Sequence, residues 1–134
     1  MRKYTYVDFC AGAGGPTPYI EQFLNDKIES RSHDSTQDQP ESKSTRGGRV
    51  SEEAVKFVLT DIKPHIPAWK ALCKKSDNLS YIEQSVDASD APADLLKGDD
   101  KKVFRLFNLA FHHFDDPLAK SILRNTIETA DGFG

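Results

Sequence analysis

Three acidic residues and one glycine-rich loop hold most of the chemistry in this chain. The loop is Asp8-Phe9-Cys10-Ala11-Gly12-Ala13-Gly14-Gly15. Gly12 and Gly14 let a backbone pass close to a ligand with no side chain in the way. Asp8 can pair with backbone N–H groups of the loop or with a ligand amine. A tight strand-to-helix turn would account for the same glycines. Asp61 ends a second apolar run, Val55-Lys56-Phe57-Val58-Leu59-Thr60. A carboxylate in that place accepts two hydrogen bonds from a ribose diol, although a turn or helix-cap aspartate also fits. Asp87 follows a third run and can accept from an adenine amino group; alone it reads as a turn residue. Further on, Asn108-Leu109-Ala110-Phe111-His112-His113 offers two imidazoles, a side-chain type used for proton transfer. Either histidine is a candidate base. Alternatively, one caps the next helix and the other packs beside a ligand.

These residues need a frame that brings successive strand ends together. Residues 4–10 read as a strand of aromatic and β-branched residues closed by the glycine cluster. A helix follows, with Thr17 as N-cap, Pro18 at its first position and Ile20, Phe23, Leu24 and Ile28 as its apolar stripe. Residues 29–49 hold no aliphatic side chain and predict a flexible polar insert at about 29–52. Strands are expected at 55–60, 79–84 and 102–110, with short helices over 66–75 and 92–96. A clear helix begins at Asp115 or Asp116, with Pro117 opening it and Leu118, Ile122, Leu123, Ile127 and Ala130 on one face. Alternating strands and helices predict an α/β fold with a parallel sheet covered on both faces. A further strand is expected where the chain stops at Gly134, so it reads as a partial domain, 1–134, with C-terminal strands missing.

Composition narrows the classes. The chain has 134 residues, 37% hydrophobic and 29% charged, with a formal net charge of -3. That gives no broad basic footprint for nucleic acid. Lys74-Lys75 and Lys101-Lys102 read as solvated surface. No apolar run is long enough to span a membrane, and Met1 to Tyr4 is not a signal peptide, which leads to the expectation of a cytoplasmic protein. Two cysteines, Cys10 and Cys73, suit free thiols rather than a disulfide framework. No His/Cys cluster has metal-ligand spacing.

On these motifs the chain resembles the class I S-adenosylmethionine-dependent methyltransferase family over nearly its whole length except the insert. Val7 to Gly14 is similar to the family's first motif, Val58-Leu59-Thr60-Asp61 to the second, Ser85-Val86-Asp87-Ala88 to the third, and Phe107 to His113 lies at the fourth. More narrowly, it resembles a group of fungal methyltransferase-like proteins carrying "DFCAGAGGPTP", "LTDIKPHIPAW" and "NLAFHHFDDPLA". The resemblance implies a Rossmann-like three-layer α/β/α sandwich with strands 3-2-1-4 of a larger sheet. It implies S-adenosyl-L-methionine as cofactor, held by Asp8, Cys10, Ala11, Gly12, Gly14, Asp61, Ile62, Asp87, Ala88, Asn108 and Leu109, with Asp61 on the ribose and Asp87 on the adenine. His112 and His113 would lie nearest the methyl group.

One departure is Cys10, which stands where the family has its first glycine. It is similar to RNA-methylating members with an Asp-x-Cys-Ala-Ala-Pro-Gly-Gly loop, and its side chain must then point away from the cofactor. Asn108-Leu109-Ala110-Phe111 lacks the prolines of amino-methylating enzymes, no Pro-Cys nucleophile occurs, and no lysine-rich tetrad is evident. Elimination leaves a small molecule or a protein as the favoured methyl acceptor, with nucleic acid disfavoured. Two rival readings stand beside this one. The first is a catalytically inactive cofactor-binding or interaction module. The second is a nicotinamide-dependent oxidoreductase, which wants a third glycine that the loop lacks.

Overall fold

A computed structural model describes residues 4–34, 53–96 and 102–134. Five strands form one parallel sheet in the order β3-β2-β1-β4-β5. They are β1 (Tyr4–Asp8), β2 (Lys56–Leu59), β3 (Leu79–Tyr81), β4 (Lys102–Leu106) and β5 (Gly132–Phe133). Helices α1 (Thr17–Asp34) and α2 (Ile66–Cys73) follow β1 and β2, and α3 (Asp116–Thr129) lies between β4 and β5. The expected α/β class and parallel pairing are present.

Strand alternation divides the core in two. Val7, Phe9 and Val58 point to one face, where Ile122 of α3 and the segment Val86, Ala88 and Ala91 cover them. Phe57 and Leu59 point to the other, against Trp69 of α2 and Ile20 and Leu24 of α1. Across that second face Tyr6 stacks on Phe57 with ring centroids 5.1 Å apart. Helices therefore cover both faces. The central strand, β1, pairs with β2 and β4, so its carboxyl end opens at the middle of the sheet.

Several expectations need correction. The order 3-2-1-4 gains a fifth strand inside the chain, because Gly132-Phe133 turns back to pair with Phe104-Arg105. A Cβ on Gly132 would meet the Phe104 ring at 2.8 Å, so a larger residue there would have to displace that ring. The first helix runs to Asp34, through residues assigned to the polar insert. Solvated helix needs no apolar face, and here Ser30 and Ser32 hydroxyls donate to the carbonyls of Asp26 and Ile28. The rest of the insert, 35–52, lies outside the described residues.

The face of α1 also differs from its hydrophobic pattern. Phe23 is exposed, while Glu21 is buried. Glu21 tolerates burial because Asn25 Nδ2 and Ser76 Oγ donate to its Oε1 at 2.7 and 3.0 Å. Residues 92–96 form turns rather than a helix, and β3 ends at Tyr81 instead of 84. On α3 the buried residues are Ile122 and Thr126, while Leu118 and Ile127 are exposed. Arg105 lies against the buried side of α3. Its side chain is 2% exposed within the expected apolar strand, and its Nη1 donates to Asn125 Oδ1 at 2.7 Å and Thr126 Oγ1 at 3.3 Å. The side of α3 that faces the sheet is therefore mixed, Ile122 with Asn125, Thr126 and Thr129.

Candidate functional site

The site begins where β1 stops. Thr60 N–H and Oγ1 both donate to the carbonyl of Asp8, and Ala11 N–H donates to Thr60 O. The backbone then reverses through left-handed residues: Cys10 has φ 64, Gly12 φ 55, Gly14 φ 121 and Gly15 φ 49. Gly14 is crowded as well, since a Cβ would lie 2.5 Å from Leu72 Cδ1 and that side chain would have to move. Gly12 has a different reason. Nothing stands within 4 Å of where its Cβ would be, so the backbone faces open space in which a ligand can sit.

Gly12 is clamped from both sides. Its N–H donates to Asp61 Oδ2 at 2.9 Å, and its carbonyl accepts from Trp69 Nε1 at 2.8 Å. Asp61 Oδ1 accepts from Lys63 N–H at 2.9 Å. Each carboxylate oxygen thus holds one backbone N–H and keeps a further lone pair for a diol. Ile62 beside it is 55% exposed. Asp87 is exposed and accepts at Oδ1 from Ser89 N–H and Oγ. Ala11 and Ala88 are buried, and their methyl groups belong to the two core clusters. Only their backbones remain to meet a ligand.

Asp8 is held differently. It is 1% exposed. The Thr17 hydroxyl donates to its Oδ2, and Asn108 Nδ2 donates to Thr17 Oγ1 at 2.9 Å. Its Oδ1 has no hydrogen-bond partner. Burial pushes the carboxyl up to about 6 against the opposing pull of the Thr17 hydroxyl and of the nearby Asn108 N–H groups, and the Asp61 charge adds to the rise. The Cys10 thiol is pushed up to about 11, first by burial and then by the carboxylates of Asp61, Asp8 and Asp87. It is therefore a neutral thiol and a poor nucleophile. The same three carboxylates make the loop a place for positive charge.

The fourth region is less closed. Asn108 is partly buried, whereas Leu109 is 80% exposed at φ 55, a conformation that side chains with a Cβ adopt rarely. Phe111–His113 form a single 3-10 turn. Phe107, Phe111 and Phe114 fix this turn through edge-to-face contacts at 5.1 and 5.5 Å. Both histidines are exposed, with ring centroids 3.9 Å apart. Capping of α3 falls to neither: Asp115 Oδ1 accepts from Leu118 N–H at 2.9 Å.

The structure thus brings Asp8, Cys10, Gly12, Asp61 and Asn108 together, with Asp87 near enough to act on Cys10. Sequence reasoning missed two positioning residues. Thr17 reads as a helix cap, yet it is the first residue of α1 and spends its hydroxyl on Asp8. Trp69 reads as core, and only the solitary indole N–H, which needs an acceptor when buried, hinted at more. A surface cavity of about 680 Å³ between α1 and residues 72–79 is lined by none of the expected site residues. A second, of about 670 Å³ along 81–95, reaches Asp87. No group of three or more metal-ligating side chains occurs among the described residues. Comparison with models of known protein families, with curated proteins and with solved structures finds no match.

Proposed function

We propose that this chain is the cofactor-binding part of a Rossmann-like, S-adenosylmethionine-dependent methyltransferase acting on a small molecule or a protein. The Gly12 clamp carries the reading. Asp61 draws the glycine loop down by one backbone N–H and keeps acceptor capacity beside Gly12, whose Cβ position is open. Parallel α/β sheets bind nucleotide-like ligands at this end, outside the carboxyl ends of the strands. In the proposed complex Asp61 accepts from the ribose hydroxyls, Ile62 supplies an apolar surface, and Asp87 accepts from the adenine amino group. The loop backbone at Gly12 and Gly14 meets the amino-acid end. When bound, the cofactor supplies a methyl group on a sulfonium sulfur. The chain's own residues position it, and Asn108 and Leu109 border the side from which an acceptor arrives.

One observation favours the second reading, a binding module without catalysis. Among the described residues nothing hydrogen-bonds to either imidazole of His112 or His113, so no group orients a ring toward an acceptor proton. Acceptors with a free lone pair need no such base. Titration of S-adenosylhomocysteine into the parent and Asp61→Ala tests the cofactor site. The reading expects affinity to fall at least about tenfold, the value of one lost strong hydrogen bond to a charged group. Equal affinity in the two proteins would remove Asp61 from the site. Transfer of a radiolabelled methyl group into fractionated cell extract separates enzyme from module.

A further inference from the structure

The cavity between α1 and residues 72–79 holds none of the loop's carboxylates, yet it has a charged wall of its own. Glu21 lines it and is 3% exposed. Its Oε1 accepts from Asn25 Nδ2 and Ser76 Oγ. A glutamine could accept both bonds with no charge to desolvate, so those bonds do not explain a carboxylate. Its Oε2 has no donor among the described residues. That oxygen is not sealed in the interior, since the enclosed atoms without a partner are Asp8 Oδ1 and Arg105 Nε. It therefore opens on the cavity that Glu21 lines.

The surroundings say which charge fits. Asp26 and Glu29 line the same cavity, and Lys75 is the one basic residue among its described lining. Lys75 forms no ion pair with the three carboxylates among the described residues, while Glu29 meets only His33, at 4.0 Å. Glu21 and Glu29 are eight residues apart on one side of α1, about 12 Å along its axis. No three metal-ligating side chains converge among the described residues, so a single metal ion has no cage here. An elongated cation suits the spacing better. Leu72 and Leu79 supply apolar wall, and Tyr19, 76% exposed, offers a ring face to positive charge. A volume of about 680 Å³ is that of a small-molecule site.

We propose that this cavity binds an aliphatic polyamine. One ammonium donates to Glu21 Oε2, the methylene chain lies along Leu72 and Leu79, and a second ammonium is held by Asp26 and Glu29 at the exposed end. The site is separate from the glycine loop, because Asp8, Asp61 and Asp87 do not line it. The inference goes beyond the adenosyl-cofactor reading and does not depend on it.

The test is calorimetric titration of spermidine into the full chain at neutral pH and physiological salt. One saturable event per chain is expected, unchanged by Asp61→Ala. Glu21→Gln keeps an acceptor for Asn25 and Ser76 and should weaken binding at least about tenfold, the value of a lost hydrogen bond between charged groups. Glu29→Gln, at an exposed position, should weaken it about threefold, and Lys75→Met should tighten it by a similar factor. Glu128→Gln, on α3 and outside the cavity, should leave it unchanged. If Glu21→Gln does not fold, the opposite shifts of Glu29→Gln and Lys75→Met decide, and no shift in either overturns the proposal. So does the absence of saturable binding, or an equal loss from Glu21→Gln and Glu128→Gln, which would mark a diffuse charge effect. A loss on Asp61→Ala would place the amine at the loop and overturn it as well. Tighter binding of a short lysine peptide than of spermidine would assign the cavity to a protein instead. Each of these failures leaves the cofactor reading standing, since that is read with a different ligand.

Discussion

Two charged side chains are buried in this small sheet, and they are buried in opposite ways. Arg105 sits mid-strand on one face, with its guanidinium on Asn125, Thr126 and Thr129 of α3 and stacked over Phe9. Asp8 sits at a strand end toward the other face, with one hydroxyl on Oδ2 and nothing on Oδ1. Each leaves one atom unsatisfied, Arg105 Nε and Asp8 Oδ1. Burial moves both toward their neutral forms, Arg105 down to about 10 and Asp8 up to about 6. Arg105 still stays charged at neutral pH and is enclosed by partners of its own chain. Asp8 is buried at the strand end under the glycine loop, and its carboxyl is pushed up to about 6 by that burial. The difference separates a residue that ties a helix to the sheet from one placed at a strand end under the glycine loop.

The comparison predicts opposite signs on mutation. Arg105→Ala should destabilise the chain by about 3 kcal/mol, through a cavity under α3 and stranded acceptors, read by denaturant unfolding. Gain or neutrality would mean that the guanidinium is no structural post. Asp8 gives the second effect. Its folded-state pKa lies above the unfolded value of 3.8, so the folded chain holds the proton more tightly. Its contribution is fully present below that value and is lost as pH rises through about 6, an order-of-magnitude difference of about 3 kcal/mol. The difference in stability between Asp8→Asn and the parent should widen in favour of Asn across that window. A constant difference would contradict a raised carboxyl.

Smaller effects sharpen the picture. Thr17→Val should cost about 1–2 kcal/mol, since it removes the donor to Asp8 and the acceptor of Asn108. Its loss should be smaller at pH 5, where Asp8 is protonated and needs the donor less. His112→Ala and His113→Ala should each change stability by less than about 0.5 kcal/mol, as exposed side chains do. A large loss from either would show that the imidazole pair supports the 3-10 turn.

Much of this arrangement was legible in the sequence. The glycine loop, Asp61 at a strand end and Asp115 with Pro117 at a helix start are local signals, each set by backbone chemistry over a few residues. Parallel pairing followed from alternation. What could not be read depends on contacts far apart in the chain. Thr17 meets Asn108 across 91 positions, and Trp69 meets Gly12 across 57. Buried Glu21 and Arg105 look like surface residues by type, and polar partners on other elements let them join the expected apolar residues Ile20, Leu24 and Ile122 in the interior. A strand is expected at the last residues of the chain, and the two-residue β5 there is held by the Gly134 N–H on the Arg105 carbonyl and by the close packing of Gly132 on Phe104. The turns at 92–96 carry Pro92 and Leu95, a fair helix pattern, but Ala88 and Ala91 already cover that part of the sheet.

The central claim is that the loop from Asp8 to Gly15, with Asp61, is a site for an adenosyl cofactor. The most direct test is calorimetric titration of the unmodified chain at pH 8 with S-adenosylhomocysteine and with a nicotinamide dinucleotide. The account predicts saturable binding of the first, at one site per chain, and none of the second. Binding of the dinucleotide in preference, or of neither ligand, would contradict it.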